Sequence, residues 1–190
     1  MDTLGTQDSA YDATVAQLKA HGLHQQAPEL VSLSADTPTL LALAKMHKSH
    51  VSGAAVVQES QAAGPLLGNL SASDLRGLTP ERFGALALSV GAFLLYKHPK
   101  YGDNSAIKSN LSYEDALLDA LPPEVKDGRW AEALAGAVQL VTCSGSSTLR
   151  QVIQLMVERG VHRVYICDPT TGTPTGVITP TDVLRWVLLY

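Results

Sequence analysis

The chain has 190 residues, and 45% of them are hydrophobic, enough to bury the core of one domain or of two small units. Charged residues make up 17% of the chain, which excludes long disordered stretches. The net charge of −4 at pH 7 provides no basic field for binding nucleic acid or an anionic membrane surface. The longest apolar run, residues 83–96, is shorter than the roughly 20 residues that span a bilayer. The N-terminus has no signal or transit pattern, so we expect a cytoplasmic protein, with the nucleus as the alternative.

The first half of the chain predicts alternating helices and strands. A helix is predicted at residues 10–22, where apolar residues recur at helical spacing after a short tail. Strand patterns follow at residues 30–33, 54–57 and 66–70. Between the first two strands a helix begins near Pro38, and its predicted inner stripe is Leu40, Leu43, Ala44 and Met46. Another helix is predicted at residues 73–78.

The second half shows the same order after a connecting segment. Residues 80–96 are predicted to form one buried helix. The polar insert, residues 98–123, includes an amphipathic helix that begins at Ser112. Three further strands are predicted at residues 139–143, 163–167 and 176–179, with helices at residues 148–159 and 181–189.

The chain contains an internal repeat. At a separation of 110 positions, matching residues are Val31, Met46 and Val57 with Val141, Met156 and Cys167. At a separation of 108, they are Gly68, Ser71, Ser73 and Asp74 with Gly176, Thr179, Thr181 and Asp182. Each copy has the order strand–helix–strand–strand–helix, which predicts an α/β (α+β) fold. The predicted ranges are residues 1–24 for a tail and helix, 25–82 for repeat 1, 83–136 for the connection, and 137–190 for repeat 2.

The matched residues around each final helix suit a nucleotide. The glycine permits close approach of the backbone, and the hydroxyls at the helix start can contact a phosphate. Asp74 and Asp182 lie in the first turn, where a carboxylate can accept both hydroxyls of a ribose. The alternative is that the hydroxyls cap the helices and the two aspartates complete capping boxes.

These residues make the chain resemble a tandem pair of cystathionine β-synthase (CBS) domains, the Bateman module. The family signature, Gly–apolar–x–Ser/Thr–x–x–Asp, is met by Gly176, Val177, Thr179 and Asp182. The first copy meets it except that Asn69 replaces the apolar residue. The resemblance implies two repeats packed with pseudo-twofold symmetry. Within the family the chain is similar to the C-terminal repeat pair of the AMP-activated protein kinase gamma subunit and its plant and algal relatives.

The resemblance implies two adenine-nucleotide sites, each combining the aspartate of one repeat with the strand start of the other. Site A joins Ser71, Ser73 and Asp74 with His162 and Arg163, and Arg163 grips the phosphates. Site B joins Thr179, Thr181 and Asp182 with Ser52, Gly53 and Ala54, and it has no cation. Val31 and Val141 are expected to form apolar walls for adenine. Site A is therefore expected to bind more tightly.

No catalytic or metal-binding set is predicted. Histidines at helical spacing, such as His21 and His24, are not completed by a cysteine or carboxylate. The two cysteines, Cys143 and Cys167, fall in strand patterns and are predicted to be buried free thiols. No P-loop or dinucleotide fingerprint is present. We therefore expect a protein that is not an enzyme.

The resemblance implies a regulatory module that senses AMP, ADP or ATP, ahead of S-adenosylmethionine, and controls a partner such as a protein kinase complex. Its apolar helix faces are expected to form a homodimer or to pair with a second CBS pair. The alternatives are a ligand-free interaction or dimerisation module and a fragment of a larger CBS protein. Nucleic acid and membrane are not expected partners.

Overall fold

The computed structural model describes residues 11–21, 30–58, 64–76, 78–97 and 121–189. Most of the polar insert, including the helix predicted from Ser112, lies outside the described residues. The chain divides into two compact units. The first-repeat unit is Val31–Leu140, and the second-repeat unit combines Met1–Leu30 with Val141–Tyr190. The predicted ranges treated the N-terminal helix and the connection as separate segments, whereas the structure groups each of them with one repeat.

The helices and strands alternate along the described residues. The α-helices are α1 Val15–Ala20, α2 Thr39–Lys48, α3 Val90–Tyr96, α4 Pro123–Lys126, α5 Trp130–Leu134, α6 Leu149–Arg159 and α7 Pro180–Leu189. The strands are β1 Ser32–Ser34, β2 Gly53–Val57, β3 Leu66–Ser71, β4 Thr142–Cys143, β5 Val164–Cys167 and β6 Pro174–Ile178. Two 3₁₀ helices, Ala72–Leu75 and Pro80–Ala87, follow β3.

Each unit contains a three-stranded sheet with the same topology. In the first-repeat unit β1 runs parallel to β2, and β2 runs antiparallel to β3. In the second-repeat unit β4, β5 and β6 pair in the same two ways. The antiparallel register shifts after Val56 in one unit and after Ile166, 110 positions later, in the other. The mixed α/β fold predicted from the repeat is confirmed, with one three-stranded sheet in each unit.

The core of the first-repeat unit surrounds α3. All seven residues of this helix are buried, and Phe93 and Leu95 are fully enclosed. They belong to one apolar cluster with residues of the sheet, of α2 and of α5, including Val56, Leu70, Met46 and Trp130. Burial of large apolar side chains stabilises the folded state by about 1.5–3 kcal/mol each, so α3 is a principal source of stability.

The core of the second-repeat unit has two apolar clusters, and α1 contributes to both. Val15 packs with Val152, Ile166 and other buried residues, while Leu18 packs with Leu149 and Trp186. Because Val15 and Leu18 are three residues apart, they lie on the same face of α1. The N-terminal helix is therefore an integral part of the second-repeat unit.

Helices α1 and α3 occupy equivalent places in their units, as the backbone hydrogen bonds show. Val15 N donates to Ser147 O and Val90 N to Thr37 O, both at 2.8 Å. The next residue of each helix donates in the same way at 2.9 Å, to Gly145 O and to Ala35 O. The acceptors are 110 positions apart, as in the sequence repeat, but the donors are 75 positions apart. The helices α1 and α3 therefore correspond to each other at a separation that differs from that of the repeat. In each unit the N-terminus of this helix hydrogen-bonds to the loop before α2 or α6.

The two signature glycines lie close to side chains of these helices. A Cβ on Gly68 would lie 2.8 Å from Leu94 Cδ1, and one on Gly176 would lie 3.0 Å from Ile166 Cδ1 and 3.2 Å from Lys19 Nζ. Leu94 and Lys19 are equivalent positions of α3 and α1, 75 residues apart. Both glycines therefore face protein side chains, and their close approach to a ligand, which the sequence suggested, stays a prediction.

Several helix predictions were wrong in extent or orientation. Leu40 and Ala44 were expected in the inner stripe of α2, but both are exposed. The buried residues of α2 are Thr39, Ala42 and Met46, since Thr39 Oγ1 donates to the Leu88 carbonyl and fixes the rotation of the helix.

The helices predicted after β3 also differ from the structure. The helix predicted at residues 73–78 is the short 3₁₀ helix Ala72–Leu75. The single helix predicted at residues 80–96 is a 3₁₀ helix followed by α3, with a break at extended Leu88 and Ser89. The break has a structural cause, because Ser89 caps α3 and the Leu88 carbonyl accepts bonds from Thr39.

Gly91→Ala should lower the free energy of unfolding by about 1–3 kcal/mol through overpacking. The added Cβ would overlap the buried indole of Trp130, whose Cδ2 atom would be 2.9 Å away. Gly145→Ala is the matched control, because its Cβ would meet only Ala16 Cβ, at 3.8 Å. Urea denaturation measures both variants, and equal midpoints would show that Trp130 moves aside without penalty.

Candidate functional site

The signature of the second copy is built at the junction of β6 and α7. Thr179, between them, donates to Asp182 Oδ2 from its backbone nitrogen at 2.9 Å and from its hydroxyl at 2.7 Å. Asp182 N donates back to Thr179 Oγ1 at 3.4 Å. This reciprocal arrangement is the capping box that the sequence left open as the alternative. It fixes the carboxylate within the first turn of a ten-residue helix.

Asp182 is almost completely buried, yet only half of its carboxylate is used. The side chain belongs to a residue that is 8% exposed. Both of its bonds from Thr179 end on Oδ2, and no residue of the described ranges donates to Oδ1. In a buried residue, a carboxylate oxygen without a protein donor is normally satisfied by water or a ligand. Oδ1 is therefore an acceptor that the described residues leave available.

The signature of the first copy has the same cap but a different neighbour. Ser71 N donates to Asp74 Oδ2 at 2.7 Å, and the Ser71 and Ser73 hydroxyls lie 2.9 Å apart. The other oxygen, Asp74 Oδ1, accepts from Lys97 Nζ at 3.0 Å. Lys97 also donates to the Asp74 carbonyl at 2.8 Å. Both carboxylate oxygens of Asp74 thus have protein donors.

Lys97 was missed by the sequence analysis. It follows α3 directly, and 23 residues separate it from Asp74. No local pattern links the two residues, because their meeting depends on how α3 packs against the sheet. The ion pair is partly exposed, with side-chain exposures of 31% for Lys97 and 24% for Asp74.

The predicted strand-start residues lie beside the signature of their own repeat. Gly53 pairs with Ser71 across β2 and β3, and the Ser52 carbonyl accepts from the Ser71 hydroxyl at 3.3 Å. Ala54, the next residue of β2, is buried in the core. The first-repeat unit therefore brings Ser52, Gly53 and Ala54 next to its own signature.

In the second-repeat unit, Val164 at the start of β5 pairs with Ile178 at the end of β6. Arg163, which precedes β5, and Thr179, which follows β6, therefore lie at the same end of the sheet. His162 is exposed and Arg163 is half-buried. Burial raises the pKa of Tyr165, and the positive charge of Arg163 opposes this rise. Thr181 is exposed at the start of α7. The predicted sites A and B combine residues of different units, so those combinations stay predictions.

Val31 and Val141, which were predicted to contact adenine, accept backbone hydrogen bonds from a neighbouring strand. The Val31 carbonyl accepts from Ala55 N at 3.0 Å, and the Val141 carbonyl accepts from Tyr165 N at 3.1 Å. Val141 is buried in an apolar cluster, and Val31 packs against the core of the first-repeat unit. Their contact with adenine stays a prediction.

Residues 135–189 match the CBS domain family, and they contain the whole second copy. Solved structures with the same fold include the CBS domain of a membrane protein from Sphaerobacter thermophilus. It is 20% identical at a TM-score of 0.54, with 98% of this chain and 94% of that chain covered. The chain has the fold of a tandem CBS module.

The same fold occurs in a protein whose structure was solved with a nucleotide. The CBS domain of a bacterial CNNM/CorC family Mg²⁺ transporter in complex with ATP is 15% identical to this chain at a TM-score of 0.56. The alignment covers 95% of this chain and 90% of the transporter domain. At this identity the likeness establishes the fold alone.

A curated relative resembles part of this chain. The SNF1-related protein kinase regulatory subunit gamma-1-like of Arabidopsis thaliana is 35% identical over 97 residues. The match covers 44% of this chain and 22% of the relative, so this chain spans about a fifth of that protein. The predicted resemblance to kinase gamma subunits is confirmed at this level.

Other features of the described residues bear on catalysis and location. Among them, no helix has the length and apolar character needed to cross a membrane. The same residues contain no group of His, Cys, Asp and Glu that could hold a metal ion. Cys143 and Cys167 are free thiols, as predicted, although both are only partly buried. Burial raises the pKa of Cys143 to about 11.

The Cys143 thiol should react slowly with iodoacetamide at neutral pH, because only the thiolate is nucleophilic. With its pKa raised to about 11, the rate should rise about tenfold per pH unit through the alkaline range. Folding stability should fall as pH rises from the ordinary thiol value to that raised one, since the unfolded thiol ionises first. A Cys167→Ser variant analysed by mass spectrometry isolates the reaction. A rate plateau near the pKa of an unfolded thiol would contradict the burial argument.

Proposed function

We propose that this CBS module binds an adenine nucleotide at the Asp182 signature and regulates a partner through that binding. The observation that carries the proposal is Asp182 Oδ1, an acceptor in a residue that is 8% exposed, without a donor from any described residue. A ribose diol supplies two hydroxyl donors, and a hydrogen bond to a carboxylate is about twice as strong as a neutral one. The ligand would satisfy an oxygen to which no described residue donates.

The residues around Asp182 are suited to the rest of a nucleotide. Thr181 carries an exposed hydroxyl in the first turn of α7, and a helix N-terminus attracts an anion. Arg163 and His162 lie at the start of β5, beside the strand that leads to Thr179. A guanidinium can hold phosphate oxygens in pairs. We assign the ribose to Asp182 and the phosphates to this end of the second-repeat sheet. This proposal groups Arg163 and His162 with Asp182 of their own repeat, whereas the resemblance implied that they join Asp74 in site A.

Two comparisons support this choice of ligand and role. The structure of a protein of the same fold was solved in complex with ATP, and the curated relative is named a kinase regulatory subunit. The nucleotide would act by population shift, stabilising the arrangement of the module to which it binds better. The regulated partner would be a protein kinase or another protein that contacts the module, and catalysis is no part of the proposal.

A second candidate function is an interaction module that associates through apolar helices. Leu184 and Leu188 of α7 are 62% and 84% exposed, and at a spacing of four they share one face of the helix. In the first-repeat unit, Leu40 and Leu41 of α2 are each 62% exposed. Adjacent exposed leucines mark interaction surfaces more strongly than scattered ones do. We propose a second CBS pair, in a homodimer or a related chain, as the occupant.

Asp182→Asn should weaken nucleotide binding by about 1–3 kcal/mol, because the substitution removes the charge of the acceptor. The asparagine side-chain oxygen can still accept the bonds from Thr179, so the helix cap is kept. Calorimetric titration with AMP, ADP, ATP and S-adenosylmethionine provides the measurement. Asp168→Asn is the matched control, since it removes the same charge near the other end of β5. Equal nucleotide affinities for the wild type and Asp182→Asn would show that Asp182 is not the ribose acceptor. Absence of binding in the wild type would leave the interaction module as the function.

Replacing Leu184 and Leu188 together by glutamate should convert a dimer into a monomer in light scattering, because the charges cannot be buried in an apolar interface. Circular dichroism should be unchanged, since both side chains are exposed in the folded chain. Arg185→Glu, on another face of α7, changes the net charge by the same amount and should leave the dimer intact. A wild-type protein that is monomeric at high micromolar concentration would contradict the second candidate function.

A further inference from the structure

The two signature aspartates differ in that Asp74 has a lysine, Lys97, beside its carboxylate. Lys97 Nζ lies 3.0 Å from Asp74 Oδ1, the oxygen that corresponds to the available Oδ1 of Asp182. The ammonium is also held by the Asp74 carbonyl at 2.8 Å. Its backbone is fixed as well, because Lys97 caps the C-terminus of α3, whose residues are all buried. The cation is thus positioned by the fold, rather than by a chance surface encounter.

The second copy has no equivalent lysine. By the correspondence of α1 and α3 at 75 positions, Lys97 matches Gly22, which has no side chain to offer, although its position lies outside the described residues. The helices that contain the two aspartates differ too, because the 3₁₀ helix Ala72–Leu75 has four residues while α7 has ten. The copies therefore share the signature but not the environment of its carboxylate.

We infer that Lys97 is a specificity-determining residue that makes Asp74 the weaker ribose acceptor, so that Asp182 binds the nucleotide first. The inference rests on the proposed function. A ribose hydroxyl can reach Asp74 Oδ1 only by displacing or sharing the Lys97 ammonium, whereas Asp182 Oδ1 needs no displacement. This order is the reverse of the ranking that the resemblance implied, in which site A binds more tightly.

The ion pair should produce a measurable preference without abolishing binding. Both partners are partly exposed, and such pairs change an equilibrium by about fivefold at most. Salt weakens a partly exposed ion pair, so increasing ionic strength should make Asp74 more available. The effect must appear with adenosine, which is neutral, because Lys97 acts on the aspartate rather than on a phosphate.

The test is calorimetric titration of the full chain with adenosine and with AMP. Asp182→Asn leaves Asp74 as the signature that is measured, and Lys97→Met is then added to it. We expect adenosine to bind about twofold to fivefold more tightly after the Lys97→Met change, and salt to strengthen binding only where Lys97 is present. Lys45→Met is the matched control, because Lys45 donates to the Ser32 carbonyl and has no carboxylate partner among the described residues.

Each outcome has a distinct meaning. Unchanged or weaker adenosine binding after Lys97→Met, with unaltered thermal unfolding, would overturn the inference while leaving the proposed function intact. Weaker binding of AMP alone would make Lys97 a phosphate contact, which also overturns it. Absence of any binding in the wild type would refute the proposed function and this inference together. Tighter binding in both Lys97→Met and Lys45→Met would assign the effect to net charge and overturn the specific role of Lys97.

Discussion

The structure depends on the docking of one helix N-terminus onto each sheet. In both units the first two backbone nitrogens of that helix donate to the loop that precedes α2 or α6. These bonds satisfy groups that a helix start otherwise leaves without partners, and they fix the helix against the sheet. Burial of Val15 and Leu18, or of the whole of α3, follows from that placement. The same placement brings Leu94 of α3 and Lys19 of α1 close to the signature glycines Gly68 and Gly176.

The same docking makes two similar signatures chemically different. In the first-repeat unit the docked helix α3 places Lys97 beside Asp74. The second copy has Gly22 at the matching position of the sequence. Repeats with the same topology can therefore diverge in function through the residue that follows a helix, without any change in the signature. In such a protein a ligand preference is set by the environment of the carboxylate as much as by its presence.

Capping and ligand binding are compatible roles for the signature residues. In each copy one carboxylate oxygen accepts from the backbone before the helix, which orients the side chain and uses only part of its capacity. The difference lies in the other oxygen, which has a lysine in the first copy and no described donor in the second. A capping box therefore does not argue against a site, and it supplies the rigid placement that a site requires.

The sequence by itself determined the repeat, the order of strands and helices, and the residues that form each signature, because these follow from local periodicity and from matching residues at a fixed separation. It could not determine the rotation of α2, where the buried Thr39 bond leaves Leu40 exposed. Nor did it show that α1 corresponds to α3, since that likeness lies in backbone hydrogen bonds. Only the tertiary structure paired Lys97 with Asp74, because contacts between residues distant in sequence depend on how the elements pack.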